Sequence, residues 1–171
     1  VKWFRNEHTS WNDTTSLSAV RSGNMEILQY LLDNGCVFQS EAYNDAAQRL
    51  EKRKGLKLFK WLHQNNVPWD EHVSMYAAST GNLDALIYAR TNDCPWDEHT
   101  IRTAVQNGQI NVVEYCLEND CPIGDINLCR YSMNNLHHVH VKALKVLQLL
   151  RKFDIPWNEE TCEAAASFGN L

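Results

Sequence analysis

Residues 67–73 read VPWDEHV and residues 94–100 read CPWDEHT, so one Pro-Trp-Asp-Glu-His core is written twice at an interval of 27 residues. Two readings compete. A duplicated Asp-Glu-His cluster is a candidate metal or acid–base site. A duplicated turn marks a unit that stacks on a copy of itself. The rest of the chain favours the second. With Trp96 as register zero, the slot is filled by Trp11, Phe38, Trp69, Trp96, Ile123 and Trp157, at steps of 27, 31, 27, 27 and 34 residues. The residue before it is Val37, Pro68, Pro95, Pro122 or Pro156, so all four prolines share one register. Twelve residues after it stand Gly23, Gly81, Gly108 and Gly169, with Asn135 in the slot after Ile123. Tyr30, Tyr88 and Tyr115 lie nineteen residues after it, and Trp3 and Trp61 fall in that slot counted back from the next unit. Punctuation repeated at a near-fixed period is the signature of a repeat architecture. The expected organisation is one continuous array over residues 1–171, with a partial unit at 1–10, full units at 11–37, 38–68, 69–95, 96–122 and 123–156, and a partial unit at 157–171. An array that starts and stops mid-unit without polar caps reads as a piece of a longer protein.

Each unit reads as helix, tight turn, helix and short connector. Proline fixes φ and lacks a donor, which suits the connection before a helix. Asp70, Asp97 and Asn158 are placed as N-caps, and Glu71, Glu98 and Glu159 fall in the positive first turn. The first helix runs through Ala46-Ala47, Ala77-Ala78 or Ala104-Val105, small enough for a neighbouring helix to approach closely. Gly81 and Gly108 should close it at positive φ, with Asn135 as the substitute in its unit. A second helix follows, with Leu83, Leu86 and Ile87 on one face, and ends on Gly35 or on the pairs at 65–66, 92–93 and 119–120. Such a unit cannot bury its apolar face alone, so the fold expected is an all-α solenoid of stacked helix-turn-helix units. Four extra residues around RLEKRK predict one added turn on the first helix of the Phe38 unit. Seven extra around LHHVHVK predict a loop between the helices of the Ile123 unit, so that the two insertions fall at 50–54 and 136–142.

The string AASTGNLDALIYARTNDC, residues 77–94, resembles the ankyrin repeat. It follows that family's Ala-Ala-x-x-Gly-His-Leu core, with Asn82 where the family prefers His and Cys94 where it prefers Ala. The resemblance covers residues 3–171 in part. The family's period is about 33, and the residues missing here are those of the β-hairpin finger. Short, Pro-Trp-marked units of this kind look like the ankyrin-like repeats of giant viruses, amoebae and oomycetes. The resemblance implies an ankyrin-like solenoid with reduced or absent fingers, working as a protein–protein interaction module.

A net charge of −5 and a pI near 5.8 argue against nucleic acid as the partner. No apolar run approaches the roughly 18 residues of a membrane span. Six cysteines without a signal peptide fit a reduced, intracellular and cytoplasmic setting, or a virion or host cell if the source is viral. Cys36, Cys94 and Cys121 share one register with Val67 and Ile155, a slot for a small buried apolar residue. The Asp-Glu-His copies are one repeat apart, a ladder at a helix-packing spacing of about 8–10 Å, too far to share one ion. His137, His138 and His140 lack the fourth ligand of a structural zinc site. No metal, cofactor or catalytic residue is expected. Trp69 and Trp96 are expected to be mostly buried between successive units. The basic run at 51–57 reads as a solvated helix end.

By ankyrin-like geometry, the partner-facing residues are expected at Asp70, Glu71, His72, Ser79, Thr80, Asp97, Glu98, His99, Gln106, Asn107, Asp125, Met133 and Asn134, joined by Arg21-Ser22 and Gln48-Arg49. The function expected is a non-enzymatic protein-interaction surface. A scaffold or spacer within a larger assembly is the alternative, or a substrate adaptor for ubiquitin ligation if an effector domain flanks the array.

Overall fold

The computed structural model describes residues 11–48, 52–124, 127–136, 140–156 and 159. Among these, ten helices follow one another without a strand: α1 (Asp13–Ser22), α2 (Met25–Asp33), α3 (Glu41–Ala47), α4 (Lys52–Gln64), α5 (Glu71–Thr80), α6 (Leu83–Thr91), α7 (Glu98–Gln106), α8 (Ile110–Glu118), α9 (Leu128–Leu136) and α10 (His140–Lys152). They divide into two compact units, Val1–Pro68 and Trp69–Leu171, and the division falls on a repeat boundary. In the first, α1 packs on α2, α3 on α4 and α1 on α3. In the second, first helices α5, α7 and α9 pack in succession, each on its own second helix, while α8 packs on α10. Each unit is thus a two-layered stack of helix-turn-helix repeats, the arrangement of an α-solenoid. None of these helices is long and apolar enough to cross a membrane.

The helix starts follow from side-chain chemistry. Asn12, Asp70 and Asp97 have extended backbones and accept from the N–H of Thr15, His72 and His99. Each satisfies a donor that the first turn cannot, worth about 1 kcal/mol. Asn24 and Asn82 do the same for α2 and α6. The proposed cap Asn158, with Trp157 and Gly169, lies outside the described residues.

Among the described residues, three repeats turn twice through the left-handed region. Gly23, Gly81 and Gly108 have φ of 66°, 70° and 62° after the first helices. Gly35, Asn66, Asp93, Asp120 and Asp154 have φ of 78°, 57°, 61°, 55° and 55° after the second. At the second turn the next N–H reaches back five residues into the helix: Cys36 to Leu31 O, Val67 to Leu62 O, Cys94 to Ala89 O, Cys121 to Cys116 O and Ile155 to Leu150 O, at 2.9–3.1 Å. This closure satisfies terminal carbonyls and turns the following side chain inward. Cys36, Val67, Cys94 and Cys121 are accordingly buried. The Cys94 and Cys121 thiols donate to the carbonyls of Asp70 and Asp97, tying the end of each repeat to its beginning. The five cysteines described are free and buried.

The core is lined by the small residues of the first helices. Ala19-Val20, Ala46-Ala47, Ala77-Ala78 and Ala104-Val105 are all buried. Against them sit Leu28, Leu58, Leu62, Leu86, Val112, Val113, Val146 and Leu150 from the second helices.

Three expectations need correction. The four extra residues of the Phe38 unit lengthen the second helix, not the first. Helix α3 has 7 residues, whereas α4 has 13 against the 9 of α2, α6 and α8. The basic run therefore opens α4 instead of extending α3. In the Ile123 unit, α9 continues through Asn135 to Leu136, and α10 starts at His140. Asn135 is therefore helical rather than a cap, and much of the expected loop is helix. Trp69 and Trp96 are mostly buried, as expected, though not enclosed as Phe38 is at 3% exposed. The indole sits at the mouth of the turn. Trp69 meets Tyr88 edge-on at 6.3 Å and Trp96 meets Tyr115 at 6.2 Å, the two fixed aromatic slots of one repeat. Arg90 of the preceding repeat lies 4.4 Å over Trp96 and donates to the Cys94 carbonyl, so cation–π contact replaces enclosure there.

Candidate functional site

The two Pro-Trp-Asp-Glu-His copies come together in the second compact unit. The N-terminal ends of α5 and α7 lie side by side, and Glu71, His72, Met75, Asp97 and His99 line a cleft of about 230 Å³ between them. Asp70 and Asp97 are committed to capping, each through one carboxylate oxygen at 3.0–3.1 Å from the N–H two residues on. The same carboxyl groups orient the imidazoles: His72 Nδ1 is 3.5 Å from Asp70 Oδ1 and His99 Nδ1 is 3.3 Å from Asp97 Oδ2. The two copies are not equivalent. Glu71 is exposed, whereas Glu98 is half-buried, 3.7 Å from His99 Nδ1 and beneath the backbone of Gly124 in the next turn. Asp97, Glu98 and His99 bring three ligand-type atoms within 4.8 Å of one another, all inside one repeat. The ladder between repeats thus forms a cleft wall, while the compact cluster belongs to one copy.

At the other end of these helices the expected contact residues are turned back on themselves. Ser79 Oγ and Thr80 Oγ1 donate to Tyr76 O at 3.0 and 3.1 Å. Asn107, the α7 C-cap, donates to Thr103 O at 2.8 Å. Gln106 is half-buried. Arg21 is bound to Asp45 of α3 through both carboxylate oxygens at 3.0 Å, and Gln48 is bound to Asn44. Ser22 hydrogen-bonds Ala19 O. These groups hold the scaffold together, so the outward face narrows to the cleft and the middle of the first helices. Met133 and Asn134 lie on α9, and Asp125, Arg49, His137 and His138 lie outside the described residues.

Sequence reasoning missed three residues on that middle face. Met75 and Arg102 occupy one register, three residues beyond His72 and His99 and so on the same helix face. Tyr131 of α9 receives the Arg102 guanidinium at 5.7 Å from its ring centre. The signal was present: an outward slot filled by Met in one copy and Arg in the next.

The thiols are chemically quiet. Burial pushes Cys94 and Cys129 up to about 11 from an ordinary 9.0. Cys116 is raised by a hydrogen bond with Cys121 and by burial. A thiol held protonated is a poor nucleophile.

No family model matches the chain, and no curated protein matches it. Solved structures of helical-repeat proteins do. The pentatricopeptide repeat protein PPR10, in complex with an 18-nucleotide psaJ RNA element, is similar over 93% of this chain and 28% of its own, at 16% identity and a TM-score of 0.45. The chain thus spans 28% of that protein's length. The PPR domain of Arabidopsis thaliana protein-only RNase P 1, in complex with tRNA, is similar over 92% of this chain and 97% of its own, at 13% identity and a TM-score of 0.41. The likeness is one of helical-repeat fold. One expectation needs correction: net charge does not exclude nucleic acid as a partner, and both helical-repeat neighbours were solved with RNA. Net charge is a sum over the whole surface. Locally this chain exposes Lys54, Lys57 and Lys60 along α4 within an acidic total of −5.

Proposed function

We propose that this chain is a non-enzymatic binding module of the ankyrin-like kind, with the β-hairpin finger reduced to a Pro-Trp turn. Its partner is a protein segment carrying basic side chains, taken along the first helices and the cleft between α5 and α7. One observation carries the reading. In register, the inward residues of α5 and α7 are all buried: Val73, Ser74, Ala77 and Ala78 in one, Thr100, Ile101, Ala104 and Val105 in the other. The outward residues change chemistry from copy to copy: Met75 to Arg102, Tyr76 to Thr103, Ser79 to Gln106. An interior that stays buried in both copies, with outward positions between the repeated acids and the turn that differ in chemistry, suits a scaffold that presents a recognition surface.

Glu71 and Glu98 supply the charge, because the neighbouring aspartates are spent on capping. Exposed carboxylates act mainly on encounter and specificity, so binding weakens as salt rises. The test is the double reversal Glu71→Lys/Glu98→Lys, assayed with a fluorescent lysine–glycine peptide. Affinity should fall about tenfold or more at low salt, while stability changes by no more than about 1 kcal/mol, the size of a helix-dipole effect. If the reversals lower the melting temperature and leave affinity unchanged, these acids serve the helices alone and the reading fails.

A further inference from the structure

We propose that Arg102, held against Tyr131, is the anchor for a carboxylate side chain in the bound segment, so that the recognised sequence carries one acidic residue among its basic ones. The inference rests on the first-helix face being the binding surface and adds the feature that selects among basic segments. Arg102 lies three residues beyond His99 on α7, one turn along from the cleft. It is half-buried, and its Nε is shielded from water without a hydrogen-bond acceptor. The guanidinium lies over the Tyr131 ring at 5.7 Å. A ring face holds the plane of an arginine but offers Nε no lone pair in that plane. An N–H removed from water and left unpaired is a free-energy cost that an incoming acceptor removes.

The protein shows the alternative in its first compact unit. Arg21 of α1 meets Asp45 of the neighbouring first helix, with Nε 3.0 Å from both carboxylate oxygens. In the second unit the neighbouring first helix offers Arg102 an aromatic ring instead. The acids of its own helix are engaged elsewhere: Asp97 caps the helix and faces His99, and Glu98 faces His99 beneath Gly124. Among the described residues, no carboxylate lies within ion-pair distance of Arg102. Charge complementarity favours a single carboxylate over a polyanion, because Glu71, Asp97 and Glu98 line or flank the adjacent cleft and would repel a run of phosphates. Arginine and tyrosine are also the residue types that dominate binding energy at interfaces.

The experiment uses the full chain and two fluorescent 13-residue lysine–glycine peptides that differ only at the centre, Glu or Gln. The Glu peptide should bind wild type about five- to tenfold more tightly, as expected for one charge-assisted, bidentate contact. Arg102→Gln should abolish that preference while leaving the Gln peptide's affinity within about twofold. Tyr131→Leu, which keeps the charge and removes the platform, should reduce the preference without abolishing it. In ¹⁵N-labelled protein the Arg102 Nε–H resonance, assigned by its loss in Arg102→Lys, should shift with the Glu peptide and not with the Gln peptide. Equal binding of the two peptides to wild type overturns the anchor while the lysine-dependent binding surface stands. Loss of both peptides in Arg102→Gln at an unchanged melting temperature overturns it too, since the residue would then not discriminate. Failure of both peptides to bind wild type overturns both readings. An oligouridylate of the same length that binds wild type more tightly than the Glu peptide, and loses affinity in Arg102→Gln, assigns the arginine to phosphate instead.

Discussion

The two turns of a repeat adopt the same backbone conformation and are written with different residues. After the first helix the left-handed position is glycine at 23, 81 and 108. After the second it is Gly35, then Asn66, Asp93, Asp120 and Asp154. Positive φ alone does not explain the contrast, because Asn and Asp tolerate that region. Crowding does. A Cβ placed on Gly81 would come within 2.2 Å of Gln109 Oε1 and 2.7 Å of its Cδ, where Gln109 of the next repeat reaches across to donate to Ser79 O at 3.2 Å. A Cβ on Gly35 would meet nothing within 4 Å, and Asn66, Asp93, Asp120 and Asp154 are exposed. One turn is wedged under its neighbour, and the other faces outward. At Gly81 conformation and neighbour both favour glycine.

The largest effect should separate those demands. Gly81→Asn keeps a residue that accepts positive φ but adds a side chain under Gln109. It should cost about 1–2 kcal/mol, because the end of the Gln109 side chain must move and give up its hydrogen bond to Ser79 O. Gly35→Asn should cost less than about 1 kcal/mol. Chemical denaturation of the two variants measures the difference, and equal costs would mean that φ alone governs both turns.

A middle-sized effect comes from what the outer turn encloses. Although Asp93 is exposed, it is followed by the fully buried Cys94, whose thiol is held up to about 11 by burial, and Cys129 behaves alike. Above pH 9 the unfolded chain releases these protons and the folded chain keeps them. The folded state therefore binds more protons, and stability falls as pH rises from about 9 to about 11. Each thiol should contribute on the order of 1–2 kcal/mol of that loss. Cys94→Ala should flatten the alkaline limb of the stability curve. A limb unchanged in the variant would show that the turn does not seal the thiol from solvent.

The smallest effect tests the outer turn directly. Asp93→Gly relieves a left-handed backbone but loosens the unfolded chain, two terms of similar size and opposite sign. The net change should lie within about 0.5 kcal/mol of zero. A loss above about 1 kcal/mol would give the Asp93 side chain a structural role that its exposure does not suggest.

These contrasts show how far the primary structure could be read. Repeat register, helix pairs, the Asp70 and Asp97 caps and the positive φ of Gly81 and Gly108 were legible, because each depends on chemistry within a few residues. The outer turn was half legible. The pairs at 65–66, 92–93 and 119–120 stood out, but Asp154 sits in a Phe-Asp-Ile stretch without turn punctuation and was passed over. The insertion at RLEKRK was placed on the wrong helix, since strong helix formers say that a helix grows and not which end of the turn it grows from. Asn135 was misread for the same reason: a residue able to cap becomes a cap only if the chain leaves the helix there.

By itself, the amino-acid sequence determined that this protein is an array of short helical hairpins, where most of them begin and end, and that its cysteines fill a core slot. Only the tertiary structure decided which polar groups remain available. Arg21 and Arg102, two arginines on first helices, are indistinguishable along the chain. Folding brings Asp45 to the first and Tyr131 to the second. The same process left Trp11, Trp69 and Trp96 partly exposed and turned Ser79, Thr80 and Asn107 back onto their own helices. The physical reason is range. Capping and helix propensity act within one turn of chain, whereas the partner of a long side chain is set by packing against residues more than twenty positions away.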